Sequence, residues 1–134
     1  MARTDTVDLP LPSPYERLGG APALRKLVDA FYDAMDRDPA AADIRRMHQP
    51  DLGPIRDKLF DWLSGWSGGP PLYNARPDRA CIMSTHAPYV IGPAERDQWL
   101  ACMRGALDNV APEPDVRALF ETAFDRLADG LRNR

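Results

Sequence analysis

Proline and glycine punctuation limits this chain more than any other feature. Proline inside a helix removes a backbone hydrogen bond and clashes with the preceding turn, so clustered Pro and Gly mark where helices must stop. The breaks fall at Gly19-Gly20, Asp38-Pro39, Gln49-Pro50, Gly68-Gly69-Pro70-Pro71 and Pro112 to Pro114. Pro54 and Pro93 belong to first helical turns, where the missing N–H is harmless. Between breaks, apolar residues recur at three- and four-residue steps. Leu24, Leu27, Val28, Phe31, Tyr32 and Met35 give one face over 21–37. Leu52, Ile55, Leu59, Trp62, Leu63 and Trp66 give a second over 51–67, with Asp51 as its expected N-cap. Trp99, Met103, Ala106, Leu107 and Val110 line a third over 93–110. A fourth, over 114–132, carries Val116, Leu119, Phe120, Ala123, Phe124, Leu127, Ala128 and Leu131. No alternating strand pattern interrupts them. The fold class is all-α.

Residues 14–134 make one domain, long enough to bury a sizeable core. Residues 1–13, with Leu-Pro-Leu-Pro-Ser-Pro leading into Tyr15, lack periodicity and read as a flexible tail. A net charge of −3 and a pI near 5.3 argue against a nucleic-acid surface. No stretch approaches the roughly 18 to 20 apolar residues of a membrane span, and no signal-peptide core is present, so the cytoplasm is the expected compartment. Cys81 and Cys102 lie in no CxxC or CxxCH motif, which leaves them as expected buried thiols. A zinc or thiol site would require both cysteines to meet in space. Carboxylates are plentiful but fall on polar helix faces, where solvation accounts for them.

One histidine stands out. In Ser84-Thr85-His86-Ala87-Pro88-Tyr89-Val90-Ile91-Gly92, Pro88 bars helix continuation and fixes the exit. His86 therefore stands at or just past the end of a short helix, against apolar residues, as suits a metal or cofactor ligand. Tyr32, on the apolar face of its helix, needs a hydrogen-bond partner in or beside the core. His48 lies in the connection over 39–50. A rigid imidazole beside an apolar crevice, with Tyr, Trp and a second His able to face it, suits haem.

The residues resemble the truncated haemoglobins, group II. The resemblance runs from Tyr15 to about Asn133. It rests on Tyr-Glu-Arg-Leu-Gly-Gly (15–20), Phe31-Tyr32, Leu63-Ser64-Gly65-Trp66 and Gly68-Gly69-Pro70. It continues through His86-Ala87-Pro88-Tyr89, Glu95-Arg96-Asp97-Gln98-Trp99-Leu100 and Cys102-Met103. It implies a two-over-two helical sandwich, B/E and G/H helix pairs, around haem b. His86 matches the proximal iron ligand, Tyr32 the distal tyrosine and Trp99 the group II tryptophan. His48 matches a position that adds a third distal donor, while Ile55 and Leu59 match the distal lining, and Tyr89 and Met103 also match pocket positions. The family's arginines before the proximal histidine are here Met83 and Thr85, so Lys58 becomes the leading propionate partner, with Arg76 and Arg79 behind it.

The implied ligands are O2, NO and CO. The resemblance leaves open whether NO dioxygenation or peroxide turnover accompanies binding, which reductase would serve it, and whether the protein forms a homodimer. The competing reading is a haem-free helical interaction or sensor module.

Overall fold

The computed structural model describes residues 11–134. Its helices are α1 (Pro14–Leu18), α2 (Gly20–Arg37), α3 (Ala42–Arg45), α4 (Gly53–Trp66), α5 (Ile82–His86), α6 (Pro93–Val110) and α7 (Pro114–Leu131). Two 3-10 turns, Pro39–Ala41 and Leu72–Ala75, lie between them. No strand occurs among the described residues.

α2 is the axle of the fold. Its six predicted apolar residues are all buried, and the helix packs most broadly on α6 and then on α4. Burying each such large side chain contributes about 1.5–3 kcal/mol before chain entropy is subtracted. α6 also packs on α7, so both expected helix pairs form around the shared α2–α6 contact. The core lies among α2, α4, α6 and α7, with Phe31, Phe120 and Phe124 its largest fully buried side chains.

Several helix ends depart from expectation. Ser13, read as tail, caps α1 in a reciprocal capping box with Glu16. Asp51 is not the N-cap of α4. Leu52 holds that position, and Asp51 Oδ1 accepts the Gly53 N–H at 2.9 Å. The remaining tail residues, 1–10, lie outside the described residues.

The sharp break after α4 has a packing reason. Gly68 adopts φ 96°, and a Cβ on Gly69 would stand 2.5 Å from Cδ1 of Tyr15. Tyr15 N–H also donates to the Ser67 carbonyl at 2.9 Å, seating α1 on the end of α4. Arg17 pairs with Asp115 and ties α1 to α7.

The carboxylates stay partly or largely solvated, as expected, with Asp61 the least exposed of those in ion pairs at 21%, yet arginines engage several of them. Asp29 and Asp33 on α2 pair with Arg56 of α4, while Asp61 of α4 and Asp78 pair with Arg76. Cys81 is exposed rather than buried, and Cys102 is buried; both are free thiols. Among the described residues no group of three or more His, Cys, Asp or Glu is arranged to hold a metal ion, and no helix is long and apolar enough to cross a membrane.

Candidate functional site

His86 is the last residue of α5 and is half-buried. Its Nδ1 lies 2.6 Å from the Ile82 carbonyl, one turn back in the same helix. A carbonyl only accepts, so Nδ1 carries the proton and Nε2 is left with a free lone pair. This partner also fixes the ring plane, the arrangement by which proteins orient a metal-binding imidazole. Pro88 then turns the chain outward, as its position implies.

Tyr32, on α2, is 3% exposed. Its ring meets Phe31 edge-on at 4.8 Å and His48 edge-on at 5.9 Å. No described residue accepts a hydrogen bond from its hydroxyl, and burial pushes its pKa upward while the Arg56 charge opposes that rise. The phenol therefore stays protonated near neutral pH and remains a donor. Trp99 of α6 packs edge-on against Phe31 at 5.3 Å, and its indole N–H likewise has no partner among the described residues. Phe31 thus separates and braces the two donors.

His48 hangs from α3. Its Nδ1 lies 2.8 Å from the Ile44 carbonyl, so the neutral ring donates there and presents Nε2 as an acceptor. α3 is held in turn by Gln98, which accepts the Ile44 N–H at 3.3 Å and donates to Asp43 Oδ2 at 2.8 Å. Burial lowers the His48 pKa most, with the Ile44 bond opposing it and the charges of Arg45 and His86 adding to the fall. As a neutral group, His48 accepts rather than donates.

Ile55 and Leu59 are half-buried on α4 and pack on the core. Met103, one turn beyond Trp99, is 1% exposed and also floors a groove of about 340 Å3 between α6 and α7. Tyr89 stands 43% exposed just past α5. Two of the three cations expected to meet the propionates have carboxylate neighbours. Lys58 Nζ lies 3.5 Å from Asp78, and Arg76 reaches Asp61 at 2.7 Å and Asp78 at 2.9 Å. Arg79 bonds only the Arg76 carbonyl, at 3.1 Å, and has no carboxylate partner among the described residues.

Sequence reasoning missed Arg56. Its guanidinium donates to the Asp29 carbonyl at 3.0 Å and to Asp33 Oδ1 at 2.7 Å, and sits 5.9 Å from the Tyr32 ring centre. The signal was present as Asp29 and Asp33, four residues apart and so on one helix face, but their partner lies 23 residues or more downstream.

An imidazole with a free Nε2, together with two unpaired donors held on either side of Phe31, is a donor set whose chemistry fits haem. Fold and site together define a small helical globin. A profile of the bacterial-like globins matches residues 13–133. Group 2 truncated hemoglobin YjbI of Bacillus subtilis is 33% identical over 115 residues, covering 86% of this chain and 82% of that one. The cold-adapted truncated hemoglobin of Pseudoalteromonas haloplanktis TAC125 superposes with a TM-score of 0.87 at 36% identity, covering 92% of this chain and 99% of that one. The group II 2-on-2 hemoglobin of Agrobacterium tumefaciens gives the same score and identity over 94% and 98%. This chain belongs to the bacterial-like globins, in their group II truncated haemoglobin branch.

Proposed function

We propose that the protein binds haem b through His86 Nε2 and holds a diatomic gas, O2 with NO and CO as alternatives, between Tyr32 and Trp99. The observation that carries this is the Tyr32 hydroxyl, a donor near neutral pH with no acceptor among the described residues, on a side chain only 3% exposed beside Phe31 and Trp99. Haem supplies an iron centre with one position open to such a ligand. Tyr32 and Trp99 direct two N–H or O–H dipoles at the place where negative charge gathers on bound dioxygen. Each such bond in a dry pocket contributes about 1.5–3 kcal/mol, so dissociation slows and the site suits retention rather than rapid delivery. Ile55 and Leu59 keep water out. Arg79, lacking a carboxylate partner, joins Lys58 as a propionate contact.

NO dioxygenation or peroxide turnover is the second reading, favoured by the oxidisable Tyr32 and Trp99 on either side of Phe31. The former consumes an electron per cycle and requires a reductase.

The test is an absorption spectrum of the haem-reconstituted protein beside His86→Ala. The wild type should show a five-coordinate ferrous spectrum and a stable oxy form. The variant should lose both and recover partly with added imidazole. Identical haem uptake by both proteins would leave only a globin-shaped interaction module.

A further inference from the structure

The aromatic side chains are not scattered. Starting beside Tyr32, Phe31 meets Trp99 at 5.3 Å, Trp99 meets Phe124 edge-on at 5.7 Å, and Phe124 stacks on Trp66 at 5.1 Å with planes 17° apart. Trp62 stacks on Trp66 at 5.9 Å. Every contact lies within the spacing of directly interacting rings. The string crosses the core from the distal wall to the opposite surface, where Trp66 lines a groove of about 420 Å3. That volume suits a small molecule. Leu119, Phe120, Ala123 and Leu127 form its apolar wall, and Arg126 is the one charged residue lining it. Arg126 has no ion pair among the described residues, and Leu119 is 40% exposed there despite its place on the apolar face of α7.

We propose that this groove is a second site, an oxidation site for small phenols bearing a carboxylate, joined to the distal pocket through Trp66, Phe124 and Trp99. The proposal rests on haem binding as argued above. Hydrogen peroxide is the oxidant. In the pocket it accepts two electrons and two protons, its O–O bond breaks, and it leaves as two waters. Each electron is drawn from Trp66, with Trp99 as the oxidisable stage and Phe124 as the spacer between the indoles. A phenol lying on Trp66 gives its electron to the indole, releases its hydroxyl proton to solvent and departs as a phenoxyl radical. Two phenols are consumed per peroxide. Arg126 supplies the geometry that a carboxylate prefers, two parallel N–H donors. The part of Trp66 that lines the groove and the apolar wall beside it supply the surface against which the phenol ring packs.

The experiment uses the haem-loaded protein, hydrogen peroxide and 3-(4-hydroxyphenyl)propionate, with uncharged guaiacol as the comparison. Trp66→Phe should keep the stack and the carbonmonoxy spectrum yet lower turnover of the carboxylated phenol by about tenfold or more. Trp66→Tyr, again oxidisable, should recover most of it. Arg126→Ala should raise KM for the carboxylated phenol several-fold, leaving kcat and guaiacol turnover in place. Without any phenol, a nitroso spin trap followed by peptide mass mapping should place the adduct on Trp66 or Trp62. In the absence of peroxide, the phenol should quench tryptophan fluorescence in the wild type and less in Arg126→Ala. Unchanged turnover in Trp66→Phe, with adducts confined to Tyr32 or Trp99, would remove the relay while leaving haem binding intact. A KM untouched by Arg126→Ala would remove the groove as the docking site. A wild type that gains no Soret band with haem would defeat the haem reading and the relay together.

Discussion

The helix that carries Tyr32 and the segment that carries His86 are built on different principles. α2 is packed: Leu24, Leu27, Val28 and Phe31 are fully buried, and Tyr32 nearly so. The Arg56 pairs with Asp29 and Asp33 then lock α2 to α4 behind it. The proximal segment is fastened instead of packed. Met83 is 55% exposed and Val90 54%, and no residue of α5 is buried. What holds it is polar. Tyr73 hydroxyl donates to the Ala80 carbonyl and accepts the Ala80 N–H, both at 3.0 Å. Asn133 accepts the Ile91 N–H at 2.9 Å, donates to the Tyr89 carbonyl at 2.7 Å, and gives its own N–H to the Ile91 carbonyl at 2.9 Å. Packing against water is cumulative and cooperative, whereas each solvent-accessible hydrogen bond nets only about 0.5–1.5 kcal/mol. Tyr32 is therefore held in place by the core, and the segment carrying His86 opens locally at lower free energy.

The contrast is broken most forcefully by emptying the packed side. Phe31→Ala leaves a cavity between Tyr32 and Trp99 and should destabilise the protein by about 3–5 kcal/mol in urea titration. Met83→Ala, on the exposed segment, should shift the same curve by less than about 0.5 kcal/mol. Equal shifts would mean that the two segments do not differ in packing.

A functional contrast follows from the same geometry. Trp99→Phe preserves an aromatic ring against Phe31 and Phe124 while removing the indole N–H. Stopped-flow O2 dissociation should accelerate by about tenfold or more, the effect of one lost bond of roughly 1.5–3 kcal/mol. An unchanged rate would take Trp99 out of ligand stabilisation and leave Tyr32 alone in that role.

Fastening is tested at Asn133. Asn133→Ala removes two of its three bonds to 89–91 and should cost about 1 kcal/mol locally. Amide exchange at Tyr89 and Ile91 should rise several-fold, with residues 24–35 unaffected. If exchange rises equally throughout, the segment is part of the cooperative core.

What the sequence revealed and concealed divides along the same line. Helical period placed all six buried residues of α2, and the proline after Ala87 placed His86 at a helix end. Both signals are local, set by 3.6-residue geometry and by the missing proline N–H. Leu119 satisfied the same period and still stands 40% exposed, because α1 and α4 leave an open groove beside α7 there instead of closing over it. Polar partnerships were invisible. Arg56 finds Asp29 and Asp33, and Lys58 shares Asp78 with Arg76, only after distant segments meet. The His48 ring role was hidden for another reason: the nearby Ile44 carbonyl, not the residue type, decides which nitrogen carries the proton.

That choice of nitrogen gives the subtlest test. Neutral His48, with its proton on Nδ1 toward the Ile44 carbonyl, leaves Nε2 an acceptor, so only protonation makes Nε2 a donor to a ligand held beside Tyr32. Burial lowers its pKa first, and Arg45 and His86 lower it further. A histidine harder to protonate in the folded than in the unfolded protein contributes stability that is present above its ordinary pKa and lost as pH falls through the folded value. Acidification should therefore do two things at once. Thermal stability should decline from the ordinary histidine pKa down to the lowered folded value, and O2 dissociation should slow at the low end of that window as the cation begins to donate. Half-burial screens the new contact, so the slowing should be on the order of threefold rather than the full value of a dry charge-assisted bond. His48→Phe should flatten the pH dependence of the dissociation rate while keeping the neutral-pH rate close to wild type. If the variant instead dissociates O2 much faster at neutral pH, His48 is already a donor there, and the proton sits on Nε2.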